Sequence, residues 1–188
     1  MPIDKIVSHD LAASSVIARP ALSDLIIAPR ARFHVECCDA EGRVRWVDVF
    51  DNLVTTQGRT DLLEKYFRGS TYTASWFVGL IDSVSYSAIA AGDTAASHSG
   101  WTEATAYTEA NRPAFSPAAA SAGSLDNSAS KATFSINATK TIKGAFVISN
   151  STKGGTTGIL YNAALFSGGD RSVVNGDTLA VQATFTVN

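Results

Sequence analysis

Few side chains in this sequence could do chemistry, and their spacing does not draw them into one site. The histidines are His9, in the first 29 residues, His34, on the polar side of a strand-like run, and His98, the one in a loop with neighbouring hydroxyls, Thr94-Ala95-Ala96-Ser97-His98-Ser99-Gly100-Trp101, with Asp93 and Glu103 nearby. A general base of that kind needs an orienting carboxylate and a nucleophile within hydrogen-bond reach. Serine is so frequent in this chain that its nearness to one histidine carries little weight. Ser128-Ala129-Ser130-Lys131 matches the Ser-x-x-Lys of acyl-transfer enzymes, a motif that belongs at a helix start; here it runs into a strand-like segment. Thr152-Lys153-Gly154-Gly155 lacks the full spacing of a phosphate loop and reads as a hairpin turn. Gly168-Gly169-Asp170 and Gly176-Asp177 read as turns, without the regularly spaced acids of a calcium loop.

Cys37 and Cys38 are adjacent. On a strand they point to opposite faces, so one is expected in the core and the other towards solvent or a partner. A disulfide between neighbours is strained, and the pair supplies too few ligands for a metal. A glycosidase would need two carboxylates facing each other across a cleft, and no pattern here marks such a pair. No catalytic, cofactor-binding or metal residue is therefore expected, and the chain is read as a non-enzyme. Carbohydrate binding is the harder alternative to set aside. Trp76, Trp101, Tyr107 and Tyr161 could form a stacking platform. Trp46 and Trp76 lie in apolar runs and read as core, which leaves Trp101 and Tyr107 as the alternative ligand contacts.

Composition narrows the class further. The chain has 188 residues, 45% hydrophobic and only 17% charged, against roughly 25% charged in ordinary soluble domains. Ala, Ser, Thr and Gly fill the difference rather than low-complexity polar tracts, which argues against disorder throughout, and the length suffices for one domain with its own core or a small domain plus an ordered tail. A formal net charge of -2 gives no electrostatic basis for gripping a nucleic-acid backbone. No apolar run approaches the roughly 18 residues of a membrane span. The opening Met1-Pro2-Ile3-Asp4-Lys5 has no basic-then-apolar leader, so synthesis in a reducing cytosol is expected.

The elements that would position any site are strands. Arg30 to Cys37 alternates, with Ala31, Phe33, Val35 and Cys37 on one face and Arg30, Arg32, His34 and Glu36 on the other. Cys38 to Gly42 is a turn in which Gly42 takes a positive φ. Arg43 to Phe50 alternates again, so the two runs form a hairpin, with Val44, Trp46 and one of Val47 or Val49 expected near the core. Leu62, Leu63, Tyr66 and Phe67 fall on one face of a short helix over about 60–68, capped by Thr56 or Thr60, ended by Gly69 and packed across an open end of the sheets. Ser75 to Ile81 is a buried apolar strand. Ala132 to Ile136, Ile142 to Ser149, Ile159 to Phe166 and Thr178 to Val187 are further strands, with turn signals about every ten residues. Residues 83 to 124 form a long connection of the kind that usually carries function. The fold is therefore expected to be mainly β, an antiparallel β-sandwich or jelly-roll-like single domain over 30–188.

Residues 1–29 differ. Ile3, Ile6, Val7, Leu11, Val16, Ile17, Leu22, Leu25, Ile26 and Ile27 are interrupted by Pro2, Pro20 and Pro29. A stretch this apolar but this broken reads as an extended arm that lies on a neighbour, and its aliphatics are the candidate partner-binding residues.

Several short stretches stand out when taken in order: Asp51-Asn52-Leu53-Val54-Thr55-Thr56-Gln57-Gly58, Trp76-Phe77-Val78-Gly79-Leu80-Ile81-Asp82, the run from Ala90 to Glu103, and Tyr107-Thr108-Glu109-Ala110-Asn111-Arg112-Pro113. Lys143-Gly144-Ala145-Phe146, Ser151 to Gly158 and Val174-Asn175-Gly176-Asp177-Thr178-Leu179 continue the series. Over about 30–188 this series resembles a family of tailed-bacteriophage virion structural proteins. The resemblance implies a virion component encoded near head and tail genes and made in the host bacterial cytoplasm, with no enzymatic residues to transfer. Within that class the expected role is a capsid decoration or cement protein. Its partners would be the major capsid protein and copies of itself, for instance as a trimer, with no nucleic acid, membrane or small-molecule ligand. The alternative is a tail, neck or fibre module that binds host glycans through loop aromatics.

Overall fold

The computed structural model describes residues 29–72 and 75–187. Along them run β1 (Pro29–Cys38), β2 (Val44–Asp51), β3 (Leu53–Val54), α1 (Thr56–Tyr66), β4 (Trp76–Asp82), β5 (Glu103–Ala104) and β6 (Ala114–Phe115). There follow β7 (Ser124–Asp126), a 3-10 turn (Ser128–Ser130), β8 (Ala132–Ser135), β9 (Lys140–Ile148), β10 (Leu160–Leu165), β11 (Arg171–Val173) and β12 (Thr178–Val187). The protein is mainly β, two antiparallel sheets with one α-helix among the described residues. The first sheet runs β2-β1-β12, with β7 and β8 sharing the far side of β12; the second runs β3-β10-β9-β4-β5, with β11 also on β9 and β6 also on β4. The aliphatic arm residues Ile3 to Ile27 lie outside the described residues.

The expected hairpin is present. β1 pairs antiparallel with β2, and Gly42 turns between them at φ +79°. Alternation places Ala31, Phe33, Val35 and Cys37 in the core, as expected from period two. Cys37 is fully buried and Cys38 half-buried, both free thiols, in line with the opposite-face reading. Burial, and then the carboxylate of Asp177 beside it, push the Cys37 thiol up to about 12.

β2 departs from expectation. Its inward face carries Trp46, Asp48 and Phe50, while Val44, Val47 and Val49 are exposed. A bulge opposite the Cys37/Cys38 step shifts the register at Val44. Asp48 is tolerated inside because the Ser167–Arg171 turn meets it: Ser167 donates from its amide (3.0 Å) and hydroxyl (2.7 Å), Gly168 from its amide (3.1 Å), and Arg171 from Nη2 (2.6 Å). Burial alone would raise the Asp48 pKa, but the bonds from Ser167, Arg171 and Gly168 outweigh it and hold the carboxyl below its ordinary value. A carboxylate with a depressed folded-state pKa contributes stability that is present above the unfolded value, about 3.9, and is lost as pH falls through the lower folded value. Acid unfolding of Asp48→Asn should accordingly show a shallower loss of stability below about pH 4 than the parent, read as unfolding midpoints across pH 2–6. Parallel curves would show that Asp48 contributes nothing to the acid limb.

The main core lies between the sheets. Phe33, Val35, Phe50, Phe134, Leu179 and Val181 of the first face Val78, Leu80, Ile142, Val147 and Val173 of the second. A second apolar cluster, Ile81, Phe146, Ile148, Leu160 and Ala163 with Ala95 and Trp101, sits on the other side of the second sheet. Its cover is the long connection between β4 and β5. That is why β4 and the end of β9 read as nearly continuous apolar runs: both faces are covered, so alternation disappears.

The helix spans 56–66 rather than 60–68, one turn earlier, because the cap is Thr55. Its Oγ1 accepts from the Gly58 amide (3.0 Å) and donates to the Leu160 carbonyl of β10. Gln57 Oε1 accepts from Leu160 N (2.9 Å), and a Cβ at Gly58 would overlap the Tyr161 carbonyl. The start of α1 is thus fastened to β10 by polar bonds at close approach, and this fixes which side of the helix faces the body.

Candidate functional site

The long connection gathers the residues that sequence inspection singled out, but it turns them inward. Trp101 is 2% exposed and Tyr107 1%. Trp101 donates from Nε1 to Asp93 Oδ2 (2.9 Å), packs on Phe146 (centroids 5.1 Å) and is covered by His98, stacked at 4.0 Å. Tyr107 packs edge-on against Phe134 (5.0 Å), and burial, with Glu103 next, pushes its hydroxyl pKa upward. Neither ring offers a face on which a sugar could stack. The two residues chosen as alternative ligand contacts are therefore core residues, whereas Trp46 and Trp76, read as core, are only partly buried.

His98 does not act on the acids near it. Its Nδ1 lies 3.0 Å from the Trp101 carbonyl. Asp93 is taken by Trp101 and by the Ala90 amide (2.9 Å). Glu103 receives Arg112 in a two-pronged pair, Nε to Oε1 at 2.9 Å and Nη2 to Oε2 at 2.7 Å. Arg112 also donates to the carbonyls of Asn150 and Gly155 (2.9 Å each), and the Gly154 amide donates to Glu103 Oε2 (2.7 Å). This pair is almost wholly buried and ties the 101–112 segment to the 150–155 turn. Lys153 strengthens the same junction by donating to the carbonyls of Tyr107 (2.8 Å) and Glu109 (2.7 Å).

A cavity of about 270 Å³ opens beside this network, lined by His98, Trp101, Glu103, Arg112, Phe146 and Gly154 among others. Its polar groups are already committed to one another. Four of the five Arg112 N–H groups are used, and among the described residues no nucleophile stands in hydrogen-bond contact with His98, whose Nδ1 meets the Trp101 carbonyl. Ser128–Ser130 is a three-residue 3-10 turn rather than the start of a long helix, and Lys153-Gly154-Gly155 forms a turn with Gly154 at φ +72°. Among the described residues no group of three His, Cys, Asp or Glu is placed to hold a metal ion, and no helix is long and apolar enough to cross a membrane.

What the body does present is apolar surface. On α1 successive residues turn by roughly 100°, so Leu62, Leu63, Tyr66 and Phe67 share one side and Gln57, Asp61, Glu64 and Lys65 the opposite side. The polar side is the half-buried one, facing the Gly92–Thr94 loop across a groove of about 570 Å³. The apolar side faces out: Leu63 is 56% exposed, Tyr66 80% and Phe67 77%, with the two aromatic rings edge to face at 4.9 Å. The expectation that these four residues pack against the sheets is corrected here, because Thr55, Gln57 and Gly58 fasten the helix in the reverse orientation. A second, smaller apolar row, Val44, Val47 and Val49, lies on β2, the edge strand of the first sheet. Local periodicity identified the helix residues as a set but could not tell which side of the helix meets the body. No protein-family model and no curated protein matches the chain.

Proposed function

We propose that this chain is a non-enzymatic structural protein of a tailed-phage virion, a capsid decoration or cement protein. In this reading it binds the outer shell through residues 1–29 and through contacts of its β-domain with capsid subunits and copies of itself. The observation that carries the reading is the pairing of a closed polar interior with an open apolar exterior. Arg112, Glu103, Asp93 and Trp101 are spent on one another, while Leu63, Tyr66, Phe67 and the β2 valines face outward. Exposed large apolar side chains on a weakly charged surface favour packed protein–protein contact. An apolar arm laid along neighbouring subunits would add broad contact area to that of the β-domain. The short ordered resemblances from Asp51 to Leu179 supply the virion context. The glycan-binding fibre reading loses its support at the residues named for it, because Trp101 and Tyr107 have no accessible ring face.

The test is cosedimentation of the purified full chain with undecorated capsids, against a variant carrying Ile3→Ser, Ile6→Ser, Val7→Ser and Leu11→Ser. Saturable binding by the parent, weakened at least about a hundredfold in the variant, is expected if the arm contributes several buried aliphatics. Equal binding would remove the arm from the interface. Absence of binding by either protein would move the chain to the neck or tail.

A further inference from the structure

α1 presents an amphipathic helix the wrong way round, and the same chain has an apolar segment, residues 1–28, outside the described residues. Leu62, Leu63, Tyr66 and Phe67 are all exposed on the described body, while residues 1–28 carry ten large aliphatic side chains. The described chain begins at Pro29, in β1, at a place that bears on α1. The Asn52 amide donates to the Ala31 carbonyl (3.1 Å), and the Ala31 amide donates to Asn52 Oδ1 (2.9 Å). Asn52 lies three residues before Thr55, the cap of α1. From the cap to Phe67 the helix rises about 18 Å, whereas a 28-residue segment can extend as far as about 90 Å. Reach is therefore ample. A tether of this length also gives the segment an effective local concentration on the order of millimolar, well above any ordinary concentration of a second copy.

We propose that the outward apolar face of α1 is the seat of residues 1–28 of its own chain, so that in the unassembled protein the arm covers Leu63, Tyr66 and Phe67. Two surfaces that would each face water alone cover one another. If the virion reading also holds, the segment leaves this seat for the shell on assembly, and α1 is uncovered in the same step. The inference stands without that reading, since it concerns the isolated protein.

Limited digestion with thermolysin, which cuts on the amino side of Leu, Ile and Val, reads the aliphatics in question directly. Cleavage before Ile6, Leu11, Val16 and Leu22 of the full chain is followed by intact mass. In the variant Leu63→Ser, Tyr66→Ser, Phe67→Ser these cuts should come about tenfold faster than in the parent, the scale expected when a weakly held segment loses its seat. The replaced side chains are exposed, so the body should stay folded, with the β-sheet circular dichroism of the parent. The variant Val44→Ser, Val47→Ser, Val49→Ser alters the other apolar row and should leave the rates unchanged. Diluting the parent about a hundredfold should also leave them unchanged, as an intramolecular seat requires. Equal rates in the parent and the α1 variant would overturn the inference. So would release by the β2 variant in place of the α1 variant, and so would protection that disappears on dilution, which would mean that the arm of another copy occupies the helix.

Discussion

Replacing Arg112 by Met should lower the unfolding free energy by about 3–5 kcal/mol, the scale for removing one partner of a buried ion pair. The Glu103 carboxylate would remain inside with only the Gly154 amide and a long contact from Tyr107 OH (3.5 Å) to satisfy it. The carbonyls of Asn150 and Gly155 would lose their donor as well. Arg112→Lys should recover only part of the loss, since one ammonium cannot reproduce the two-pronged geometry or reach both carbonyls. The double variant Arg112→Met, Glu103→Gln should be more stable than Arg112→Met alone, because no charge is then stranded. Urea unfolding of the three variants measures this. A loss below about 1 kcal/mol in Arg112→Met would mean that the pair is no better than a surface salt bridge.

Trp101→Ala should be comparably costly, about 3–5 kcal/mol, the range for truncating a large buried aromatic. The indole of the long connection packs onto the outer face of the second sheet, between His98 and Phe146. Its removal opens a cavity above Ile81, Phe146 and Ile148 and leaves the Asp93 carboxylate with the Ala90 amide alone. Hydrogen exchange should therefore rise first over residues 83–102, ahead of β1 and β12, because the cover can detach while the main core holds. Trp101→Phe keeps most of the packing but loses the bond to Asp93, and should cost about 1–3 kcal/mol. Uniform loss of protection across both sheets in Trp101→Ala would show instead that the cover and the main core unfold as one unit.

The hairpin of β1 and β2 could be read because period two is a local property, visible within the eight residues from Arg30 to Cys37. Asp48 could not be placed, because the groups that make its burial tolerable come from Ser167 to Arg171, more than a hundred positions away. In sequence, the segment around Trp101 and Tyr107 reads as a long connection that carries function, with those two aromatics as alternative ligand contacts. It is instead the cover that a sheet with two apolar faces requires, and the continuous apolar runs in β4 and β9 were the signal for it. For α1 the composition of the face was visible but its direction was not. Direction is set by the cap at Thr55 and the close approach at Gly58, whose partners Leu160 and Tyr161 are about a hundred residues distant in sequence.

The strand order carries a consequence for biosynthesis. β12 is the spine of the first sheet, paired along its whole length with β1, from Pro29 opposite Val187 to Cys38 opposite Thr178, and on its other side with β7 and β8. Until it emerges from the ribosome, the β1–β2 hairpin has no second neighbour, and the apolar faces of Phe33, Val35 and Phe134 have no sheet to complete. Folding of this half must then wait until Thr178–Val187 has been made, a high-contact-order closure that is slow and leaves strand edges open meanwhile. A chain that stalls or is clipped before Thr178 would lose the centre of the sheet rather than an edge, and nascent copies crowded on one message would hold unsealed hairpins side by side.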